Sequence, residues 1–160
     1  MKADRVVIDT NVLISAAIMP LGKPKAVFVH VVGNSRLIMS RELFLEFADR
    51  LSRPKFSKYI DHEQKQSFLV LLEAAAEFVE ISGAPQGVRD PQDDMVLETA
   101  IAAGADCLVT GDEDLLVLRP AGPNPVTMHE AEAVYRDVAI LRPAEFLSFV
   151  DRVRGSGNQN

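Results

Sequence analysis

The 160-residue sequence predicts an α/β fold, a three-layer sandwich in which a mostly parallel sheet of about five strands is flanked by helices. Three observations carry that expectation. Short β-branched runs alternate along the chain with longer stretches whose apolar residues recur at helical spacing, the signature of strands joined by crossover helices. Two of the short runs, VVID at 6–9 and LVTGD at 108–112, end on aspartate. Hydrophobic residues make up 48% of a chain the size of one domain, enough to bury a core without disulfides or metal staples.

The elements follow in order. RVVI at 5–8 reads as the first strand and leads into a helix from Val12. Gly22 and Pro24 punctuate, and KAVFVHVV continues as a second helix until Gly33 and Asn34 stop it. LIM at 37–39 is a short strand, after which Ser40 is placed to cap a helix through Leu51. RLSRPKFSK is a basic loop around Pro54. The longest helical pattern runs from Asp61 to Phe78, opened by Asp61 and Gln64 at capping-box spacing. VEI at 79–81 is the third strand and SGAPQGVRDPQ a loop. DMVLETAIAA is helical and stops at Gly104, DCLVTGD is the fourth strand with its exit, and DLLVL is a helical turn. The segment 119–134 is rich in Pro and Gly and has no clear period. VAIL at 138–141 is the fifth strand and PAEFLSFVDRV the last helix. Residues 1–153 thus read as a single domain and 154–160 as a disordered tail.

Composition narrows the chemistry. The one cysteine, Cys107, lies in an apolar run and has no partner for an internal disulfide, which suits a reducing compartment. His30, His62 and His129 are too scattered for a zinc site. No secretory signal and no apolar run of membrane length is present, so a soluble, cytoplasmic protein is expected. The net charge of −6 argues against a protein that coats nucleic acid with a basic face. It leaves a nuclease open, because carboxylates gathered around divalent cations count in the formula while the cations do not.

In a parallel sheet Asp9 and Asp112 arrive at the same edge, since strands joined by crossover helices point one way. Ligands of α/β proteins bind at that edge. A second role fits Asp9 as well, because Asp9 or Asn11 can simply cap the helix that follows. Asp93 is singled out by helix phase. Val96, Leu97, Ala100, Ile101 and Ala103 form one apolar stripe, and Asp93 falls near its middle, with Asp94 at the margin. A carboxylate on the inward face requires a cation, water or a cap role. Glu46 lies just outside the stripe of Leu43, Phe44, Phe47 and Leu51, where by phase alone it is a surface charge. Asp90 and Asp114, taken alone, are turn and cap residues. An all-oxygen cluster without Cys or His favours Mg²⁺ or Mn²⁺. Such ions hydrolyse phosphodiesters without a histidine base. No phosphate-binding P-loop, dinucleotide fingerprint or nucleophile elbow competes with this chemistry.

The segments VVIDTNVLISA, LIMSRELFLEF, RDPQDDMVLETAIAAGADCLVTGDEDLL and ILRPAEFL, in this order, resemble the PIN-domain ribonucleases, and among them the VapC-like toxins of bacterial toxin–antitoxin pairs. The resemblance implies an endoribonuclease whose Asp9, Glu46, Asp93 and Asp112 hold Mg²⁺ or Mn²⁺ and orient a water for attack on the scissile phosphate. It implies supporting roles for Asn11, Ser40, Thr110, Asp90 and Asp114, an antitoxin partner, and a homodimer. Arg50, Arg53, Lys55 and Lys58, on or after the Glu46 helix, form the expected RNA-binding rim, with a plain solvated loop as the alternative. The chain departs from its close relatives between DLL and the ILRPAEFL ending, where it carries an insertion near residues 120–138 that bears on partner and substrate choice. Two other functions fit the same fold: a non-catalytic protein-binding module, and another Mg²⁺-dependent phosphohydrolase with an aspartyl nucleophile. The second usually shows D-x-D after the first strand, and here Asn11 stands two residues after Asp9.

Overall fold

A computed structural model describes residues 2–124 and 129–157. Among the described residues six strands form one sheet in the order β3-β2-β1-β4-β6-β5, where β1 is Arg5–Ile8, β2 Arg36–Ser40, β3 Ala76–Val79, β4 Cys107–Val109, β5 Val134–Tyr135 and β6 Val138–Leu141. Every neighbouring pair is parallel except β5 and β6. The helices that flank the sheet are α1 Thr10–Ile18, α2 Lys23–Asn34, α3 Arg41–Leu51, α4 His62–Ala75, α5 Pro91–Ala102, α6 Glu113–Leu116 and α7 Pro143–Gly157. The buried apolar side chains of strands and helices form a contiguous core in which Val6, Val7, Ile38, Leu108, Val109 and Ile140 are wholly buried. Strands covered on both faces read as continuous apolar runs, which is why VVI, LIM, CLV and VAIL are legible in the sequence.

The topology positions the site. From β1 the sheet grows to β2 and β3 on one side and to β4 and β6 on the other, so the strand order reverses between β1 and β4. The loops leaving two such strands diverge and open a crevice at their carboxyl ends. The register Ile8↔Val109 sets Asp9 beside Thr110, and the Asp9 amide donates to Val109 O at 2.9 Å.

Several boundaries differ from the sequence-based expectation. The third strand is Ala76–Val79, not 79–81, and α4 ends at Ala75, not Phe78. The alanines there favour helix. Pairing along four residues of β2, together with the ion pair of Glu77 to Arg5 at 2.7 Å, holds the segment extended instead. The first helix begins at Thr10, and α5 begins at Pro91, where Asp90 caps it and the proline occupies a position that needs no amide hydrogen. The capping box at Asp61 forms as expected, with Gln64 N at 2.7 Å and Gln64 Oε1 at 3.0 Å.

A sixth strand, β5, starts at the last residue of the segment without a clear period. β5 pairs antiparallel with β6 through a tight turn in which Arg136 (φ 50°) and Asp137 (φ 69°) both adopt the left-handed conformation. Such turns are usually signalled by Asn-Gly, and Arg-Asp hides this one. Residues 125–128 of the insertion lie outside the described residues. The last helix extends through Gly157, so the first four residues of the expected tail are helical, with Ser156 Oγ bonding back to Arg152 O. Residues 158–160 of that tail lie outside the described residues. Among the described residues no single helix is long and apolar enough to cross a membrane. α1 and α2 satisfy that measure only as a pair bent by 100°, and both bury residues in the core.

Candidate metal centre at the carboxyl edge of the sheet

Asp9 stands at the N-cap position of α1, yet its side chain makes no capping bond to the helix. The carboxylate instead accepts from Thr110 Oγ1 at 2.8 Å, and that hydroxyl in turn accepts from the Asp112 amide at 3.0 Å. Thr110, wholly buried at the end of β4, therefore fixes two acidic residues at once. Asp112 caps the short α6 through Asp114 N at 2.9 Å. Asp90 caps α5, accepting from Gln92 N at 2.8 Å and Asp93 N at 3.3 Å, which frees Asp93 from the cap role and leaves its side chain pointing inward, 7% exposed. Carboxylate oxygens of Asp9, Asp93 and Asp112 all lie within 4.8 Å of one another. Two full negative charges at that separation repel by on the order of 3 kcal/mol at an effective dielectric constant of about 20.

Among the described residues, proton uptake and the nearby Arg50 are what answer that repulsion. Burial, then the neighbouring Asp112, Asp9 and Asp90, push the Asp93 carboxyl up to about 8. Burial also raises Asp9 above the usual carboxylate range, against the lowering pull of its Thr110 bond. Glu46 rises for the same first reason, with Arg50 opposing. Both carboxylate oxygens of Glu46 are buried and make no hydrogen bond, and the nearest cation, Arg50 Nε, stops at 3.8 Å. Arg50 spends its Nη1 on Asn11 Oδ1 at 2.8 Å. Together these groups line a cavity of about 50 Å³, room for an ion or one to two waters. An all-oxygen donor set, anionic and short of hydrogen-bond donors, fits a hard divalent cation and offers nothing to a soft one.

The four acids singled out by sequence, Asp9, Glu46, Asp93 and Asp112, thus share one cavity, and Asn11, Asp90 and Arg50 join its walls. Ser40 does not. Its buried hydroxyl accepts from Leu43 N at 3.2 Å and Thr99 Oγ1 at 2.9 Å, tying α3, which carries Glu46, to α5, which carries Asp93. Asp114 lies outside the cavity in an ion pair with Arg89 at 3.2 Å. Arg53 pairs with Asp49 at 3.7 Å, Lys55 lies over Phe56 and Lys58 over Tyr59, each 5.0 Å from the ring centre, and none of the three lines the cavity. Arg50 is the residue whose place sequence reasoning misses: its position groups it with the rim, and its side chain faces the acids. Its i+4 spacing from Glu46 on one helix is the available signal.

Comparison with known proteins gives three findings. The family model for the PIN domain matches residues 5–114, a stretch that holds all four acids and ends before the insertion. An uncharacterised protein of Methanocaldococcus jannaschii is 29% identical over 118 residues, covering 72% of this chain and 75% of that protein. The crystal structure of VapBC2 from Rickettsia felis bound to a DNA fragment from their promoter matches with a TM-score of 0.50 and 20% identity, over 68% of this chain and 87% of that one. At that identity the likeness is one of fold.

Proposed function

The chain belongs to the PIN domain family, and on that premise we propose that it is an endoribonuclease dependent on Mg²⁺ or Mn²⁺, the toxin of a toxin–antitoxin pair. One observation carries the reading: three carboxylates within 4.8 Å of one another, joined in one cavity by Glu46, whose two carboxylate oxygens are buried without a hydrogen bond. Such an arrangement is costly without a cation and is functional when one is bound.

Asp9, Glu46, Asp93 and Asp112 would hold the ion. Mg²⁺ or Mn²⁺ there supplies charge to stabilise the phosphodiester's developing negative oxygens and to lower the pKa of a water. The chain's own groups do the rest. Thr110 orients Asp9 through its hydroxyl proton and Asp112 through its oxygen lone pair, so the two acids cannot drift apart independently. Asp90, by capping α5, keeps Asp93 in the first turn, where the helix dipole favours an anion. Arg50 limits the negative charge at the Glu46 side and holds Asn11 against the cavity. Arg53, Lys55 and Lys58, exposed beyond α3, supply cations for phosphates farther along the RNA. The antitoxin, a second copy of the chain, and a cytoplasmic site of action are supported by the resemblance to VapC-like toxins. The VapBC2 structure holds promoter DNA, and an antitoxin of this chain would have the same kind of partner.

The test is incubation of the purified protein with a structured RNA mixture in Mg²⁺, Mn²⁺ or EDTA, beside a variant carrying Asp9→Asn and Asp93→Asn. Cleavage is expected with either metal and is lost in EDTA and in the variant. Metal-independent cleavage, or equal cleavage by the variant, would sink the proposal.

A further inference from the structure

Beside the acid cavity lies a wider groove of about 520 Å³, and Asn11 and Asp112 belong to the walls of both. Pro24 at the start of α2 and Pro143 at the start of α7 give it flat apolar faces, and the Ser15 hydroxyl adds a polar one. Among its lining residues Arg89 is the one cation. The Arg89 side chain is 86% exposed and pairs with Asp114 at 3.2 Å. We propose that this groove is a nucleotide subsite, which seats the nucleoside next to the scissile phosphate while Arg89 takes the adjoining phosphate. The inference rests on the nuclease reading and deepens it.

Three features converge on a nucleotide. The volume falls within the range of about 300–1,000 Å³ typical of small-molecule sites, and the mix of apolar faces with a few polar groups suits a flat heterocycle on a sugar. The shared wall means that a phosphate drawn to the acid cavity delivers its neighbouring sugar and base into the groove. Charge then sets the orientation. Asp112, Glu113 and Asp114 also line the groove and repel a bare phosphate from their side of it, so the anionic end is confined to Arg89 and to the cation of the acid cavity. An exposed ion pair such as Arg89 with Asp114 is weak, and a phosphate that offers two oxygens to the guanidinium fork displaces it.

Gly111 supplies an independent observation. It lines the groove, its backbone does not require glycine, and a Cβ built on it meets no heavy atom within 4 Å. The missing side chain therefore serves no turn and relieves no clash, and its absence keeps the groove open beside Asp112.

The experiment is calorimetric titration of the four 5′-nucleoside monophosphates, in Mg²⁺, into the wild-type protein, Arg89→Gln and Gly111→Leu, with a thermal melt to confirm folding and a Mg²⁺ titration of each protein. At least one nucleotide is expected to bind the wild type. Arg89→Gln weakens it by about tenfold, the worth of a charged hydrogen bond, and Gly111→Leu removes it, while all three proteins bind Mg²⁺ alike. Equal nucleotide binding by wild type and both variants overturns the subsite, as does a wild type that binds Mg²⁺ and no nucleotide. RNA cleavage by the same proteins separates the two proposals. Cleavage with one KM for all three overturns the subsite and keeps the nuclease. Nucleotide binding abolished in the variants, with no RNA cut by the wild type, keeps the subsite and overturns the nuclease.

Discussion

Helix α5 presents acids in two directions, and the two groups are treated in opposite ways. On the side of the preceding loop, Glu98 Oε1 accepts from Ser82 N, Ser82 Oγ and Gly83 N at 2.8 to 3.0 Å. Asp94 accepts there from Gln86 N and Val88 N at 2.8 to 2.9 Å. Around Asp93, one residue before Asp94, the neighbours are the carboxylates of Asp9 and Asp112. A buried carboxylate met by N–H groups is a fastener, since those bonds replace the water it lost. A buried carboxylate met by other carboxylates is a binding site for something positive. The loop 82–88 and the sheet edge are therefore distinguished by donors, not by the number of acids.

The largest effect that would break this contrast is on activity. Asp93→Asn or Asp9→Asn is expected to cut metal-dependent RNA cleavage by about 10²–10³-fold or more, while stabilising the metal-free protein by about 1 kcal/mol, because each replaces a carboxyl whose proton equilibrium burial and acidic neighbours distort. Glu98→Ala is expected to do the reverse. It strips three hydrogen bonds from the loop and should cost about 2 kcal/mol in denaturant unfolding, with Mg²⁺ binding retained. If Asp93→Asn destabilised as Glu98→Ala does, the distinction between fastener and binding site would collapse.

Much of this is legible in the sequence, for physical reasons that also explain the rest. Asp9 and Asp112 can be placed together because a parallel sheet brings every strand's exit to one edge, and Asp93 because a helix has a fixed period. Glu46 lies outside the apolar stripe of its helix, and residue phase alone gives it to solvent. Only the family resemblance recovers it, since its burial depends on how α3 leans on its neighbours and on the Ser40–Thr99 bond. The roles of Glu98 and Asp94 are not readable, because whether a charge meets a donor, an acceptor or water is decided there by a loop that carries no period, and Arg50 leaves only its i+4 spacing from Glu46 as a signal. The boundary between α4 and β3 fails for a related reason: local propensity favours helix where strand pairing prevails.

A pH titration sharpens the comparison with a smaller effect. The Asp93 carboxyl is raised to about 8 in the folded protein from an ordinary value of 3.8, first by burial and then by Asp112 and Asp9. The folded state therefore holds a proton that the unfolded chain has released, so this contribution to stability is fully present below pH of about 4 and is lost as pH rises through about 8. Metal-free protein should melt at lower temperature at pH 9 than at pH 6.5, and Mg²⁺ should bind more tightly at the higher pH, releasing protons that calorimetry in buffers of different ionisation enthalpy can count. Asp93→Asn should flatten both dependences, while Asp94→Asn should leave them in place.

The smallest effects concern the cations of α3 and the loop after it, and they separate two roles that the sequence merges. Arg53, Lys55 and Lys58 are exposed and stand away from the cavity, so each can act on RNA only through a phosphate. Replacing one of them with Gln should reduce the slope of log K against log[salt] for single-stranded RNA by about 0.7 for each phosphate no longer neutralised, leaving Mg²⁺ affinity unchanged. Arg50 has a different position: it approaches Glu46 at 3.8 Å and holds Asn11 at 2.8 Å inside the cavity. Arg50→Gln should therefore alter Mg²⁺ affinity as well as RNA binding, because Glu46 loses the cation that approaches it at 3.8 Å and competes for the ion with a different charge balance. If all four substitutions changed the salt slope alone, Arg50 would belong to the rim and not to the acid cavity.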